Sequence, residues 1–386
     1  MRAAKRVLVT GSMGGNPPGY GGHSWAVLQY ILGFRRLGLE SYYVERLKPD
    51  ACVDTEGRPA SFADSVAASY FHTLIERFDL AGYAALLEWE GSGHIGLSHR
   101  EVDAVASDID LMINRSGQLQ LESILKGAKK RLYLDVDPGY TQVWQAQYGV
   151  DMNLRGHDVY VTVGLNFGAP DCPFPSCGID WKTTLPPVVI DEWTTAIPPG
   201  LEYTTVADWR GYGSVEWQGE WYGQKADEFL RVVDLPRRVA VPLSLCLLID
   251  PKESGLPMLK QHGWRIVSPL DHVSTPDRYR EYICRSRGEF TVVKHGYAAG
   301  RTGWFSDRSA CYLAAGRPVI VQETGISSHV PTGIGLLTFT DIESAAEAIA
   351  QVERDYARHA PAAAAFAREH LDSDRVLSRL LQLAGV

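Results

Sequence analysis

The stretch Glu289–Gly325, EFTVVKHGYAAGRTGWFSDRSACYLAAGRPVIVQETG, does most to limit what this chain can fold into. Phe290–Val293 is apolar or β-branched throughout, the mark of a strand buried on both faces of a parallel sheet. Gly296, Gly300 and Gly303 then break the chain. Ser306 or Asp307 caps a predicted helix over Arg308–Ala315, Gly316 ends it, and Val319–Val321 reads as the next strand. Strand, loop, helix, strand is one crossover of a parallel sheet. A glycine-broken loop running into a helix N-terminus beyond a strand tip turns free backbone N–H groups toward one point, which suits an anion. His295, Arg301 and Arg308 lie close to that point in sequence. The plain alternative is an ordinary turn without a ligand.

The rest of the chain repeats this pattern. Arg6–Thr10 is a short apolar strand opening into Gly11–Gly22, a long glycine loop with two prolines. Val27, Leu28, Ile31, Leu32 and Phe34 recur at helical spacing, and Glu40–Val44 follows as a strand. The loop is too long for a dinucleotide fingerprint and better suits an acceptor cleft. Ala51–Gly93 reads as helices, chiefly Phe62–Phe78. Strands are predicted at Leu111–Asn114, Arg131–Val136 and Asp158–Val163. Prolines crowd Gly168–Gly200, within which Leu185–Ile190 also fits a strand. A second α/β series follows: Tyr203–Ala207, a Gly- and Trp-rich loop over Asp208–Trp221, a helix over Gln224–Val233, then Leu243–Ile249, Trp264–Val267 and the strands above. Alternating strands and helices on this scale predict an α/β chain of two doubly wound, Rossmann-like domains facing across a cleft. The boundaries drawn are 1–185, a linker at 186–202, 203–360, and terminal helices over 361–386.

Length and charge narrow the function. With 386 residues, 45% hydrophobic and 22% charged, the chain is an ordinary globular protein long enough for two domains. A net charge of −8 recruits no nucleic acid. There is no apolar run of the ~20 residues a membrane span needs. The basic Met1–Arg6 is followed by too short an apolar run for a signal peptide, so a cytoplasmic location is expected. Six cysteines in this length make no disulfide framework, and the close pair Cys172/Cys177 lacks companions for a zinc site, so no metal is expected.

Gly303-Trp304-Phe305-Ser306 through Ala314–Ile320 resembles the donor-site signature of sugar-nucleotide glycosyltransferases of the two-domain B fold, in the family 1/4-like group. That signature reads glutamate, any residue, Phe, Gly, then Leu-Glu-Ala-Met-Ala, any residue, Gly, any residue, Pro-Val. Phe305, Ala314, Gly316, Pro318 and Val319 fall in register, and Ser306 stands at the glycine. Gly303 and Cys311 stand where the family has glutamates that hold the donor sugar and the ribose. The resemblance implies a metal-independent, hexosyltransferase-like enzyme that takes a nucleoside-diphosphate sugar as donor substrate, with no separate cofactor. The acceptor would be a small molecule or lipid-like, and a homodimer is left open. It also implies terminal helices that pack back on the first domain.

Site residues follow. The family's place for backbone against the diphosphate is matched by Gly213 and Ser214. His295, Gly296, Arg301, Thr302, Ser306, Asp307 and Arg308 form the donor loop, with Glu323 and Thr324 at the next tip; Arg210 and Lys225 add charge. Trp209, Trp217, Trp221 and Tyr222 offer a stacking surface, or simply packing. His23, at the start of the first helix, matches the catalytic base of inverting members. A positive helix end disfavours imidazolium there and leaves a proton acceptor. Asp110, Asp135 and Asp137 are its candidate orienting partners. Two other functions stay open: a noncatalytic B-fold partner or scaffold, favoured by the missing glutamates, and a nucleotide-sugar epimerase. A pyridoxal-dependent phosphorylase has no lysine motif in its favour.

Overall fold

The computed structural model describes residues 5–15 and 19–386. Met1–Ala4 and Asn16-Pro17-Pro18 of the first glycine loop lie outside them. The chain folds into two compact units: Met1–Asp135 with Asn153–Val161 and Ser373–Val386, and Val136–Met152 with Thr162–Asp372. The division therefore differs from the single linker that proline content suggested. Packing explains the difference. Helix Tyr140–Ala146 sets Tyr140 and Trp144 edge-on to Tyr212, at 5.4 and 4.6 Å between ring centroids, which ties 136–152 to the second unit.

The first unit is built on β1 (Arg6–Thr10), β2 (Glu40–Leu47), β3 (Ala84–Glu88), β4 (His94–Gly96), β5 (Leu111–Arg115), β6 (Arg131–Asp135) and β7 (Val159–Thr162), in the order β4-β3-β2-β1-β5-β6-β7. Neighbours from β3 to β6 are parallel, and β4 is antiparallel to β3. Leu8, Val44, Ala85, Leu87 and Met112 form the core on one face. β3 corrects the all-helical reading of Ala51–Gly93. Its sequence AALLE has weak strand propensity, but burial of Ala84–Leu87 decides the conformation. Helix Ser373–Ala384 packs on helix Gly21–Arg36. A Cβ on Gly33 would meet Leu377 Cδ1 at 2.5 Å, so glycine sets the closeness of that contact.

The second unit contains β8 (Trp181–Thr183), β9 (Tyr203–Asp208), β10 (Val215–Trp217), β11 (Glu220–Tyr222), β12 (Leu243–Leu248), β13 (Arg265–Val267), β14 (Gly288–Thr291), β15 (Val319–Gln322) and β16 (Leu336–Phe339). Its main sheet runs β13-β12-β9-β14-β15-β16, all parallel. β10 and β11 form an antiparallel hairpin within the stretch read as a loop. Gln218 and Gly219 turn it, both at positive φ (55° and 84°), the backbone of a two-residue hairpin turn. Gln at the first of those positions is an unusual choice, which is why the signal is faint. Leu185–Ile190 forms one bridge, Val188 to Asp372, rather than a strand; Pro186 and Pro187 have no N–H to donate. Among the described residues no helix is long and apolar enough to cross a membrane.

Candidate functional site

A doubly wound sheet offers a ligand its crevice where strand order reverses, beyond the C-terminal strand ends. In the second unit the chain leaves β9 for β12 and β13, then returns to β14 on the other side. The reversal lies between β9 and β14. Beyond those tips stand Lys294, His295 and the start of helix Lys225–Arg231.

The tips are joined by backbone. The Gly223 N–H donates to His295 Nδ1 at 3.1 Å, and the His295 N–H donates to the Gln224 carbonyl at 3.4 Å. Gly296 must be glycine: a Cβ there would lie 2.6 Å from the Tyr140 hydroxyl, which also accepts the Gly296 N–H at 3.3 Å. His295 Nε2 lies 3.9 Å from the buried Glu228. Lys294 donates to Asp137 at 2.9 Å and lies over the Tyr212 ring, 3.4 Å from its centroid. The Tyr212 and Tyr297 hydroxyls donate to the same carboxylate oxygen. Burial would push the Asp137 carboxyl up, but Lys294 and the two hydroxyls outweigh it and hold it below the usual range. Burial also pulls the Lys294 ammonium down, yet a carboxylate in direct contact keeps the pair ionised.

Lys225 is different. Among the described residues it makes no hydrogen bond or ion pair. Burial, then the charge of Arg308, lowers its pKa to about 7; Asp208 and Glu289 only partly offset this. Beside it Gln224 is 3% exposed, and its Nε2 has no acceptor among the described residues. The tips thus hold a cation and an amide donor, both uncommitted.

The donor loop is spent differently from expectation. Arg308 turns into the sheet. It donates to Glu289, to the Val206 carbonyl at 2.8 Å and to Thr291 Oγ1 at 2.9 Å. Burial would lower its pKa, but Glu289 more than offsets this and raises it. Helix Asp307–Ala314 begins one residue earlier than predicted. The Ser306 Oγ caps it by accepting the Arg308 N–H at 3.2 Å, and Asp307 Oδ1 accepts the same N–H at 2.9 Å. Arg301, at φ 44°, pairs with Asp171 at 2.7 Å, with about half of each side chain exposed. Thr302 is buried and accepts the Trp304 N–H. Glu323 accepts the Gly325 N–H at 2.6 Å, and Thr324 Oγ1 donates to the Trp304 carbonyl at 3.0 Å. Gly213 faces open space, and Ser214 leads into β10. Arg210 pairs with Glu253 at 2.7 Å. Of the tryptophans, Trp209 is core and Trp221 is half exposed, tilted against His295 at 5.6 Å. Gly303 has φ 71°, and a Cβ there would lie 2.3 Å from the Asn166 nitrogen, so no side chain fits. Cys311 is buried, its thiol bonded to the Asp307 carbonyl.

In the first unit His23 is the third residue of helix Gly21–Arg36, exposed and stacked on Tyr20 at 5.5 Å. Asp110 precedes β5 and binds the Arg6 N–H and Lys129, each at 2.9 Å. It lies at the N-terminal edge of parallel strands, the wrong edge to meet a helix that starts beyond their C-terminal ends. Asp135 ends β6 on the correct edge and is fully buried. Asp137 belongs to the second unit, on Lys294 and the two tyrosines.

No protein-family model and no curated relative matches this sequence. Solved structures do match along nearly its whole length. HepE from Anabaena, solved with UDP and glucose, is 13% identical, with a TM-score of 0.57 over 99% of this chain and 100% of that one. The sucrose-phosphate synthase of Thermosynechococcus elongatus is 11% identical, with a TM-score of 0.55 over 98% of each chain. The pneumococcal O-GlcNAc transferase GtfA, solved with UDP and GlcNAc, is 9% identical, with a TM-score of 0.54 over 100% and 99%. The fold of this chain is the B fold of glycosyltransferases.

Proposed function

We propose that the protein transfers a sugar from a nucleoside-diphosphate donor to an acceptor hydroxyl. The observation that carries this is Lys225: a cation with no hydrogen bond or ion pair among the described residues, with the unpartnered Gln224 Nε2 beside it, at the β9/β14 reversal. A diphosphate is the anion such a pair suits. Structures of the same fold have been solved with UDP, which supports a nucleotide as ligand. The acceptor oxygen bonds to the anomeric carbon, and the bond from that carbon to the diphosphate breaks. Its electron pair leaves with the diphosphate, toward Lys225 and His295. His23 takes the acceptor's proton, and the anomeric configuration inverts. Arg301 joins the diphosphate by releasing Asp171, an exposed pair worth about 0–1 kcal/mol.

Titration with a panel of nucleoside diphosphates tests the reading. One of them is expected to bind, and Lys225→Met to weaken it by about 1.5–3 kcal/mol, the range for a charge-assisted bond. The diphosphate needs the protonated lysine, so wild-type affinity should fall as pH rises through about 7. Lys225→Met should lose that fall, while the nucleotide's own ionisation affects both proteins alike. Equal affinity in wild type and variant across this range would remove Lys225 from the site. Turnover is expected to survive excess chelator, because cations and amides supply the charge; rescue by magnesium after its loss would show otherwise. A second reading has one observation behind it. Position 303 has no room for the glutamate that the resemblance places there, which fits a noncatalytic binding protein. Nucleotide binding with no transfer to any acceptor and no donor hydrolysis would favour it.

A further inference from the structure

The first unit has its own reversal, and its side chains there are equally telling. The chain leaves β1 for β2 and β3 and returns to β5 on the other side. Gly11 follows β1, Arg115 ends β5, and Ser116 comes next. The Arg115 side chain lies across bare backbone: a Cβ on Gly11 would be 3.4 Å from both its Cδ and Nη1. Its Cζ lies 5.9 Å from the Tyr30 ring centroid. Arg6, Arg36, Arg58 and Arg131 of this unit all face carboxylates. Arg115 has no carboxylate partner among the described residues, and its Nε is buried without an acceptor. The Ser116 Oγ is also buried and unpartnered. Ser116 is held at φ 48°, in the left-handed region that non-glycine residues seldom adopt.

Three amides of the glycine loop after β1 are already taken. Glu45 accepts the N–H groups of Met13 and Gly14 at 3.1 and 3.2 Å and of Gly15 at 3.0 Å, and the Tyr43 hydroxyl at 2.8 Å. This buried carboxylate occupies the amides that a bound anion would otherwise use. At the tip of β5 and just beyond it, Arg115 Nε and Ser116 Oγ are donors without an acceptor among the described residues.

We infer that the first unit binds a ligand through an oxyanion group, a phosphate monoester or a carboxylate, held by Arg115 and Ser116. Under the transferase reading above, on which this assignment of role rests, that ligand is the acceptor. The sugar therefore goes to an anionic hydroxyl compound rather than to a neutral one. A planar guanidinium takes two oxygens at once, and the serine hydroxyl supplies a third donor.

The full-length Lys225→Met protein separates this site from the nucleotide site. Its thermal midpoint is to be measured against inorganic phosphate, glycerol 1-phosphate, glycerate and glycerol. Phosphate or carboxylate compounds should stabilise it, and glycerol should not. Comparing the phosphate ester with glycerate tells which oxyanion is held. Adding Arg115→Met should weaken that binding roughly 10- to 100-fold, with Arg115→Lys in between and Ser116→Ala weaker by a smaller factor. Arg115→Met in the otherwise wild-type chain should leave nucleoside-diphosphate affinity unchanged. Oxyanion binding that ignores Arg115→Met and Ser116→Ala, or no binding of any oxyanion, overturns the inference. If oxyanions bind through Arg115 but no nucleotide binds at all, the site stands and the transferase reading falls.

Discussion

His23→Ala is expected to lower turnover by about 10²–10⁴-fold, the usual contribution of a positioned general base. Nucleotide affinity should stay nearly unchanged, because the groups assigned to the diphosphate belong to the second unit and His23 to the first. In the terms of mutant kinetics, kcat and kcat/KM fall together while the donor's dissociation constant does not move. The exposed ring makes the substitution mild for folding: His23 stacks on Tyr20 and is not part of the core. Product analysis is the companion measurement, since direct displacement inverts the anomeric carbon. A retained configuration, or near-normal turnover in His23→Ala, would remove this residue from the chemistry. Asp135→Asn tests the orienting partner in the same assay. It should cost less than His23→Ala, and the double variant little more than His23→Ala alone.

Arg308→Met should destabilise the second unit by about 3–5 kcal/mol, because it leaves the Glu289 carboxylate buried and unpaired. Both side chains are almost wholly inside, at 8% and 0% exposure, and Glu289 Oε2 already has no partner. At ~2–4 °C per kcal/mol for a unit of this size, the thermal midpoint should fall by roughly 6–20 °C. The double variant Arg308→Met/Glu289→Leu should recover most of the loss, since an apolar pair carries no desolvation cost. Nucleotide affinity of the folded variant should change far less than in Lys225→Met, moving only through the pKa of Lys225, which the Arg308 charge lowers. A large loss of affinity with normal stability would return Arg308 to the donor site, where its sequence position suggested it belonged.

Arg308 shows where reading the chain alone reaches its limit. The βαβ order, the glycines that break it and the helix cap at Ser306 were all legible, because periodicity and backbone chemistry are local. Which way a long side chain turns from the first residues of a helix is not local. It depends on Glu289 and Thr291, 19 and 17 residues back, facing the helix from β14. The same holds for Asp137, whose partners lie 75 to 160 residues away. Lys225 was visible only as one more charge near the loop. What sets it apart is the absence of a partner in three dimensions, and no spacing rule reports that. Arg115, just past the predicted strand Leu111–Asn114, escaped notice for the same reason. β3 and the Gln218-Gly219 hairpin were missed on weak propensities that burial and pairing overrode.

Helix Ser373–Ala384 carries a consequence for how the molecule is made. It completes the first unit, yet the ribosome delivers it after all of the second unit. Gly33 and its neighbours on helix Gly21–Arg36 must wait, uncovered, through the synthesis of more than half the chain. At about 5–20 residues per second, the 211 residues from Thr162 to Asp372 take roughly 10–40 s. During that interval the early unit exposes an apolar strip that a nascent-chain chaperone, or a neighbouring nascent copy on the same message, is free to take. Order of synthesis and order of completion run opposite to each other here. A fragment ending at Val161 should consequently be poorly soluble, and it should be rescued in trans by a peptide spanning 373–386.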